Sequence, residues 1–323
     1  RNPNDLFFFS KYLIFCKEII KDSQKYVPEF LEDIVRKSLN CIHFIMTPDG
    51  QLPLFNGANS IKLTQIENYL KDYKPDNKNN VLGGLHRIRH KNHFVIMDID
   101  SPPQKRFSRS YQSGPLSFEY FLDGKKIISN SGFGSNISKK AELLSRVTAC
   151  QSTLTINDTS ITNFETNVML NEVFGNSIKN SFKSFDIVTK NENGVISCSA
   201  TNNGYEKKFG CTHKREIFID KENNFLKGID HILKARDGYP IRYAFRFHIN
   251  PEFSVIKTMS GNGALIQISK NKSLLFTINN ENLDIEKSIF LGEKKIIDSN
   301  CITISGNLVN KNKIFKWEIR KKI

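Results

Sequence analysis

The imidazole, guanidinium and amide side chains of this sequence fall into a few tight groups, each suited to a definite chemistry. The densest is His86, Arg87, Arg89, His90, Lys91 and His93, able either to face a polyanion or to lie along a solvated strand edge. Gly83-Gly84 before it and the apolar run after it predict extended backbone, with His86 and His90 on one face and His93 turned away. His213 and Arg215 alternate with Lys214, so in a strand they share a face, lining a cleft or serving as partly buried structural groups. Arg146 precedes a strand-like run and offers a planar fork of donors, to a bound carboxylate or to a structural ion-pair partner. Tyr205 follows the turn signal Asn203-Gly204, which predicts its ring at a loop tip, stacked on a sugar or simply packed. Asp5 directly precedes an apolar helical stripe and predicts an N-cap, with Pro3 in the turn before it.

The bulk numbers narrow the function classes. Among 323 residues, 47 Lys and Arg oppose 33 Asp and Glu, a formal net charge of +14. Such an excess attracts acidic polysaccharide, nucleic acid or anionic lipid. A composition crowded with Lys, Asn, Ile and Phe would produce the same excess with no ligand behind it. The basic residues are scattered, and no zinc-finger, RRM or helix-turn-helix signature accompanies them, so nucleic acid is not the expected partner. No apolar run approaches the roughly 20 residues of a membrane helix. The six cysteines lack Cys-x-x-Cys or zinc-ribbon spacing and predict buried free thiols. Cys198 and Cys211 flank a predicted hairpin, which leaves a disulfide between them open. The chain opens on Arg1 rather than Met, as a fragment or processed chain would, and the missing leader therefore decides nothing about compartment.

Two regimes of periodicity position these groups. Up to about Tyr73 the pattern is helical. One stripe runs Leu6, Phe9, Leu13, Cys16, Ile20, and a second runs from Phe30 and Leu31 to Ile42 and Ile45, with Pro28 placed for its first turn. A weaker helix follows over about Leu63 to Tyr73. The two long helices form a hairpin too small to bury both faces alone, so it must pack on the β region or on helices upstream. After a polar stretch at 77–80 the period becomes two, in runs such as Phe94–Ile99, Leu116–Phe121, Phe225–Leu233, Arg242–His248 and Ile314–Ile319. Asp123-Gly124, Asn193-Gly194, Asp237-Gly238 and Asn262-Gly263 punctuate them. The fold class is thus mainly β with an N-terminal α part, an antiparallel β-sandwich over 77–323 preceded by helices over 1–76.

Read in order, several segments resemble the heparinase II/III family. Asp49-Gly-Gln-Leu-Pro-Leu-Phe-Asn-Gly is similar to its passage from helices into sandwich. Ser113-Gly-Pro-Leu-Ser-Phe-Glu with Ile128-Ser-Asn-Ser-Gly resembles its early sandwich hairpin. Arg146-Val-Thr-Ala-Cys-Gln-Ser-Thr-Leu is similar to its Arg-x-Thr-Ala-x-His-x-Thr-Leu motif. Asn202-Asn-Gly-Tyr followed by Gly210-Cys-Thr-His-Lys-Arg resembles a His-Asp-Gly-Tyr element followed by Gly-x-x-His-x-Arg. The resemblance implies the last helices of an (α/α) toroid followed by the sandwich, with most of the toroid upstream of Arg1. It also implies a polysaccharide lyase that cleaves uronate-containing acidic glycans by β-elimination, in the cell envelope or periplasm, although the cytoplasm stays open. The oligomeric state is not implied.

β-Elimination needs the carboxylate neutralised, the C5 proton removed and the leaving oxygen protonated. Carried onto this sequence, the resemblance places Gln151, Asp5 and His213 at catalytic positions. It places Arg1, Asn2, Arg146, Asn202, Tyr205 and Arg215 at substrate-binding ones. Three departures weaken the enzyme. Gln151 stands where the family has His and cannot exchange a proton near neutral pH. Asn202 and Asn203 replace a His-Asp pair. Asp5 stands at the Tyr of an Arg-Ser-Pro-x-Tyr-His element. Relatives that hold zinc use His and Asp side chains, so with Gln151 and Asn202 neither metal nor cofactor is expected. The alternative is a non-catalytic acidic-glycan-binding or cell-envelope protein on the same scaffold.

Overall fold

The computed structural model describes residues 1–72, 80–167, 169, 171, 175–192, 194–234, 240–309 and 312–322. The turn signals expected at Asn193 and Asp237-Gly238, residues 77–79 of the polar stretch and the predicted helix end at Tyr73 lie outside these residues.

Helix α1 (Pro3–Asp22) begins three residues earlier than Asp5 predicts. Asn2 caps it: its Oδ1 accepts from the Asn4 amide at 2.9 Å and from the Asp5 amide, and Pro3 occupies the first helical turn. A cap must reach amides two or three residues onward, and Pro lacks the amide that goes unpaired at the first position. Pro28 is likewise displaced: it caps α2 (Glu29–Ile45) in extended conformation without entering it. Helix α2 turns Leu31, Val35, Leu39 and Ile42 inward as its stripe requires. In α1 the buried positions are Pro3, Phe7, Ser10 and Ile14, so Phe9 and Cys16 of the predicted stripe face outward. The run Phe7-Phe8-Phe9 and Tyr12 to Phe15 make α1 apolar nearly all round, and spacing alone cannot choose its buried face. A 3-10 turn, Leu63–Ile66, and α3 (Glu67–Asp72) complete the helical part.

Two antiparallel sheets follow. The first runs β1 (Val81–Leu82), β2 (Leu85–His90), β3 (His93–Asp98), β4 (Phe118–Leu122), β5 (Lys125–Ser129), β11 (Ile241–Ile249), β16 (Ile297–Leu308) and β15 (Asp284–Phe290), with β6 (Leu154–Ile156) also paired to β11. The second runs β12 (Ser254–Lys257), β13 (Gly263–Ser269), β14 (Lys272–Ile278), β17 (Lys313–Lys321), β10 (Phe225–Lys234), β9 (Cys211–Asp220), β8 (Val195–Asn202) and β7 (Ser184–Glu192). The Asp123-Gly124 signal is met by a two-residue turn between β4 and β5, with both residues at positive φ.

The sheets enclose one core around Phe118, Phe247, Phe276 and Trp317. Trp317 stacks on Phe118 with ring centroids 5.5 Å apart. Gly228 makes room for it, since a Cβ there would lie 2.0 Å from the indole. The outer face of the first sheet forms a second core with the helices, where Phe94, Ile96 and Phe121 meet Phe7, Leu39 and Ile42. The helical hairpin therefore packs on the β region through one side. Phe8, Phe9, Tyr12, Phe15 and Ile19 remain exposed on the other.

This double coverage corrects the reading of the histidine cluster. His90 pairs directly across from His93 in the β2–β3 hairpin, and cross-strand partners share a face, so His93 sides with His86 and His90. His86 and His93 are buried, and Arg87, on the opposite face, donates to the Phe44 carbonyl at 3.0 Å. Burial lowers both His86 and His93 to about 4. His86, Arg87 and His93 therefore belong to the interior, and only Arg89, His90 and Lys91 at the end of the strand reach the surface.

All six cysteines are free, and Cys16 is exposed. Among the described residues no helix is long and apolar enough to cross a membrane.

Candidate ligand cleft

The sandwich residues singled out from sequence are all buried, and each already has a partner. Asp230 on β10 sits between His213 and Arg215 of β9 and Trp317 of β17. Its Oδ1 accepts from Arg215 Nε and bonds His213 Nε2, both at 2.7 Å, and its Oδ2 accepts from Trp317 Nε1 at 2.8 Å. Arg215 also donates to the carbonyls of Leu116 and Ser152, at 2.9 and 2.7 Å. Burial alone would raise the Asp230 carboxyl, but the Arg215 charge and the His213 bond hold it well below the usual carboxylate range. Burial lowers the basicity of the His213 imidazole in spite of that carboxylate. His213 and Arg215 do not line a cleft. They tie the strands of the second sheet to the loops of the first.

Arg146 is 0% exposed, and among the described residues no carboxylate forms a salt bridge with it, although Glu142 is close enough to act on its charge. Nε donates to the Tyr111 carbonyl at 2.8 Å, Nη2 to the Ser108 carbonyl at 2.9 Å, and the guanidinium lies 4.0 Å from the Phe164 ring centroid. Neither the carboxylate-binding nor the ion-pair expectation describes it, because its partners are backbone carbonyls. Gln151 is buried against Gly114 and donates to the Ser145 carbonyl at 2.9 Å. Asn202 Oδ1 accepts from the Gly204 amide at 3.1 Å. These amides do not fit a zinc site, and among the described residues no three His, Cys, Asp or Glu side chains come together to hold a metal. Tyr205 is not at a loop tip. Its ring is buried in the sandwich core, and its hydroxyl donates to the Thr159 carbonyl at 2.8 Å. Asn203-Gly204 leads into a single helical turn, α5 (Glu206–Phe209), which folds the tyrosine inward.

The remaining three sequence candidates lie elsewhere and together. Arg1, Asn2 and Asp5, at the start of α1, form one wall of a cavity of about 1170 Å³. The 56–61 loop, the 103–111 loop, and Phe133, Ser135, Asn136 and Glu142 at α4 (Lys139–Ser145) form the rest. Amide side chains lock these pieces. Asn2 Nδ2 donates to Ser110 Oγ at 3.2 Å, the Asn59 amide to Asn4 Oδ1 at 3.3 Å, and the Gly57 amide to Gln112 Oε1 at 3.1 Å. Asn56 and Gly57 both hold positive φ, and a Cβ on Gly57 would strike Ser110 at 2.6 Å. The Asn-Gly pair was the signal that could have drawn attention to this loop.

Polar capacity is left over in this cavity. Asn59 Oδ1, Tyr111 Oη and Arg1 Nε are buried without a hydrogen-bond partner, as are interior atoms such as Arg146 Nη1 and Asn202 Nδ2. The first three, however, belong to residues that line a cavity, where a ligand can supply the partner. Burial, then the neighbouring Asp98 carboxylate, raises the Tyr111 hydroxyl, which stays a neutral phenol. The charges nearly balance. Arg1 is committed to Asp98 and Asp100, Asp5 and Glu142 are acidic, and Arg109 is exposed and carries no partner among the described residues. Phe9 and Phe107 are exposed at 54% and 65%; the Arg106 guanidinium lies 4.6 Å from the Phe107 ring centroid, which leaves Phe9 as the ring open to stack on a sugar face. Among the described residues no histidine lines the cavity. Asn56, Asn59, Arg109 and Tyr111 were not singled out from sequence.

Comparison with known proteins agrees with this architecture. In structure the chain is similar to the heparan sulfate lyase HepC from Pedobacter heparinus, with TM-score 0.73 and 14% identity over 99% of this chain and 52% of that one. It is also similar to a heparinase III structure, with TM-score 0.74 and 14% identity over 99% and 53%. The chain thus spans about half the length of these structures, and at such identity they share its fold. No curated protein sequence matches it. The family model described as Heparinase II/III-like, C-terminal, matches residues 74–318, nearly the whole sandwich, and the chain belongs to that family.

Proposed function

We propose that this protein is a polysaccharide lyase that takes a uronate-containing acidic glycan into the cleft between α1 and the 103–111 loop and cleaves it by β-elimination. The observation that carries the proposal is the cavity wall itself, which joins unpartnered buried polar atoms to a guanidinium without a partner among the described residues and to exposed aromatic rings. Amides and Tyr111 serve the sugar hydroxyls, and the carboxylate is neutralised by donors on the wall, which acidifies C5. Asp5, exposed at the cavity edge, accepts the C5 proton. The C4–O bond then breaks with its electron pair on the leaving oxygen, the C4–C5 double bond forms, and water protonates the oxygen. Gln151, Arg146, His213, Arg215, Asn202 and Tyr205 act in this scheme only by holding the scaffold.

A second reading has its own observation. With no histidine among the described residues of the wall and Gln151 tied to Ser145, the same cleft suits a glycan-binding protein without turnover. Incubation with heparan sulfate and with alginate separates the two. The lyase gives the ultraviolet absorbance of an unsaturated uronate, lost in Asp5→Asn. Calorimetric binding without that absorbance favours the second reading, and neither signal with any uronate polymer refutes both.

A further inference from the structure

We propose that Arg109 is the specificity-determining residue of the cleft, holding the uronate carboxylate, and that Arg146 and Gly175 position it. This rests on the acidic-glycan reading of the cleft and names the group that reads the charge. Three features hold Arg109 in place while leaving its guanidinium open. Arg146 donates to the Ser108 and Tyr111 carbonyls, the backbone on either side of Arg109-Ser110. Ser108 Oγ accepts from the Ile178 amide at 3.0 Å and donates to the Lys105 carbonyl at 2.7 Å, which fastens the 175–178 segment to the same turn. Gly175, at φ +68, lies against the arginine stem, where a Cβ would come within 2.7 Å of Arg109 Cγ and 3.1 Å of Nε. The stem is therefore laid along a glycine backbone, and the guanidinium has no partner among the described residues.

A guanidinium unpaired among the described residues, on a fixed stem lining a cavity with spare hydrogen-bonding atoms, is arranged for a planar oxyanion. A carboxylate and a sulfate ester share that chemistry. The two acids on the wall, Asp5 and Glu142, with Arg1 already spent on Asp98, favour one carboxylate over a densely sulfated sugar.

The test compares wild type, Arg109→Ala, Arg109→Lys and Gly175→Ala for binding to heparan sulfate, its carboxyl-reduced form and its desulfated form. Arg109→Ala is expected to weaken binding to heparan sulfate by about tenfold to a hundredfold, the range for a charge-assisted hydrogen bond. Arg109→Lys should recover part of the loss, and Gly175→Ala should weaken binding in the same direction. On the carboxyl-reduced polymer the wild type should fall to the level of Arg109→Ala, which should itself be unchanged. A loss in Arg109→Ala that is equal on both polymers marks a merely structural residue and overturns the proposal, as does wild-type affinity for heparan sulfate in that variant. If instead desulfation abolishes the difference between wild type and variant, sulfate is the partner and the carboxylate assignment falls. Wild type that binds none of the polymers removes the cleft reading and this proposal with it.

Discussion

The Asp230 cluster and the α1 cleft are built from similar side chains and behave oppositely. Around Asp230, both carboxylate oxygens and the facing donors of His213, Arg215 and Trp317 are engaged within the protein. In the cleft, Asn59, Tyr111 and Arg1 each retain a buried polar atom without a partner, and Arg109 has none at all among the described residues. Buried polar groups that satisfy one another rigidify a scaffold, whereas spare capacity beside a cavity is what a ligand can use. The lesson is that residue type selects candidates, and spare polar capacity points to a site only where it borders a cavity, since Arg146 and Asn202 keep unpartnered atoms in the closed interior.

The contrast breaks most visibly at Asp230. Asp230→Ala abandons a buried Arg215, and chemical denaturation should register a loss of about 3–5 kcal/mol, the usual cost of removing one partner of a buried pair. A loss below about 1 kcal/mol would mean that the cluster is not the keystone described here. Arg146 joins the two regions, since it lies in the interior yet fixes the turn that carries Arg109. Arg146→Ala should cost about 1–3 kcal/mol for each carbonyl left unpaired and should weaken glycan binding as well. Unchanged affinity in a folded variant would separate the turn from the site.

Acid tests the interior more gently. His86, His93 and His248 are held near 4 by burial, against 6.5 when solvated. The unfolded chain takes up their protons first as pH falls, so their contribution is intact above about pH 6.5 and erodes between about pH 6.5 and pH 4. The melting temperature should drop across that window, and a flat profile would show that these imidazoles protonate in place. The smallest effect is expected at Tyr111. Because its hydroxyl bonds nothing, Tyr111→Phe should leave stability within about 0.5 kcal/mol and reduce only affinity for glycan. A clear destabilisation would return Tyr111 to the scaffold.

Much of the fold could be read from the sequence, because β9, β10 and β17 alternate strictly between interior and surface. Among the strands that escaped, β7, β12 and β15 are sheet edges, the first two exposed along most of their length and β15 buried only at Phe290, where no continuous buried side imposes a period. The order of the family motifs correctly indicated the sandwich for a related reason. Arg146, His213 and Arg215 hold its interior together, so they identify the architecture rather than the chemistry. The cleft was only half legible. Asn2 and Asp5 were found through the start of a helix, but Arg109 has no distinguishing spacing. Its place depends on contacts from Gly175 and Arg146, which are far from it in sequence.

The most direct measurement is a crystal structure of the protein soaked with a uronate tetrasaccharide. Difference density is expected between the start of α1 and the 103–111 loop, with a carboxylate against Arg109 and sugar hydroxyls within reach of Asn59 and Tyr111. Sugar bound elsewhere on the sandwich, with this cavity unchanged, would contradict the assignment of the cleft as the functional site.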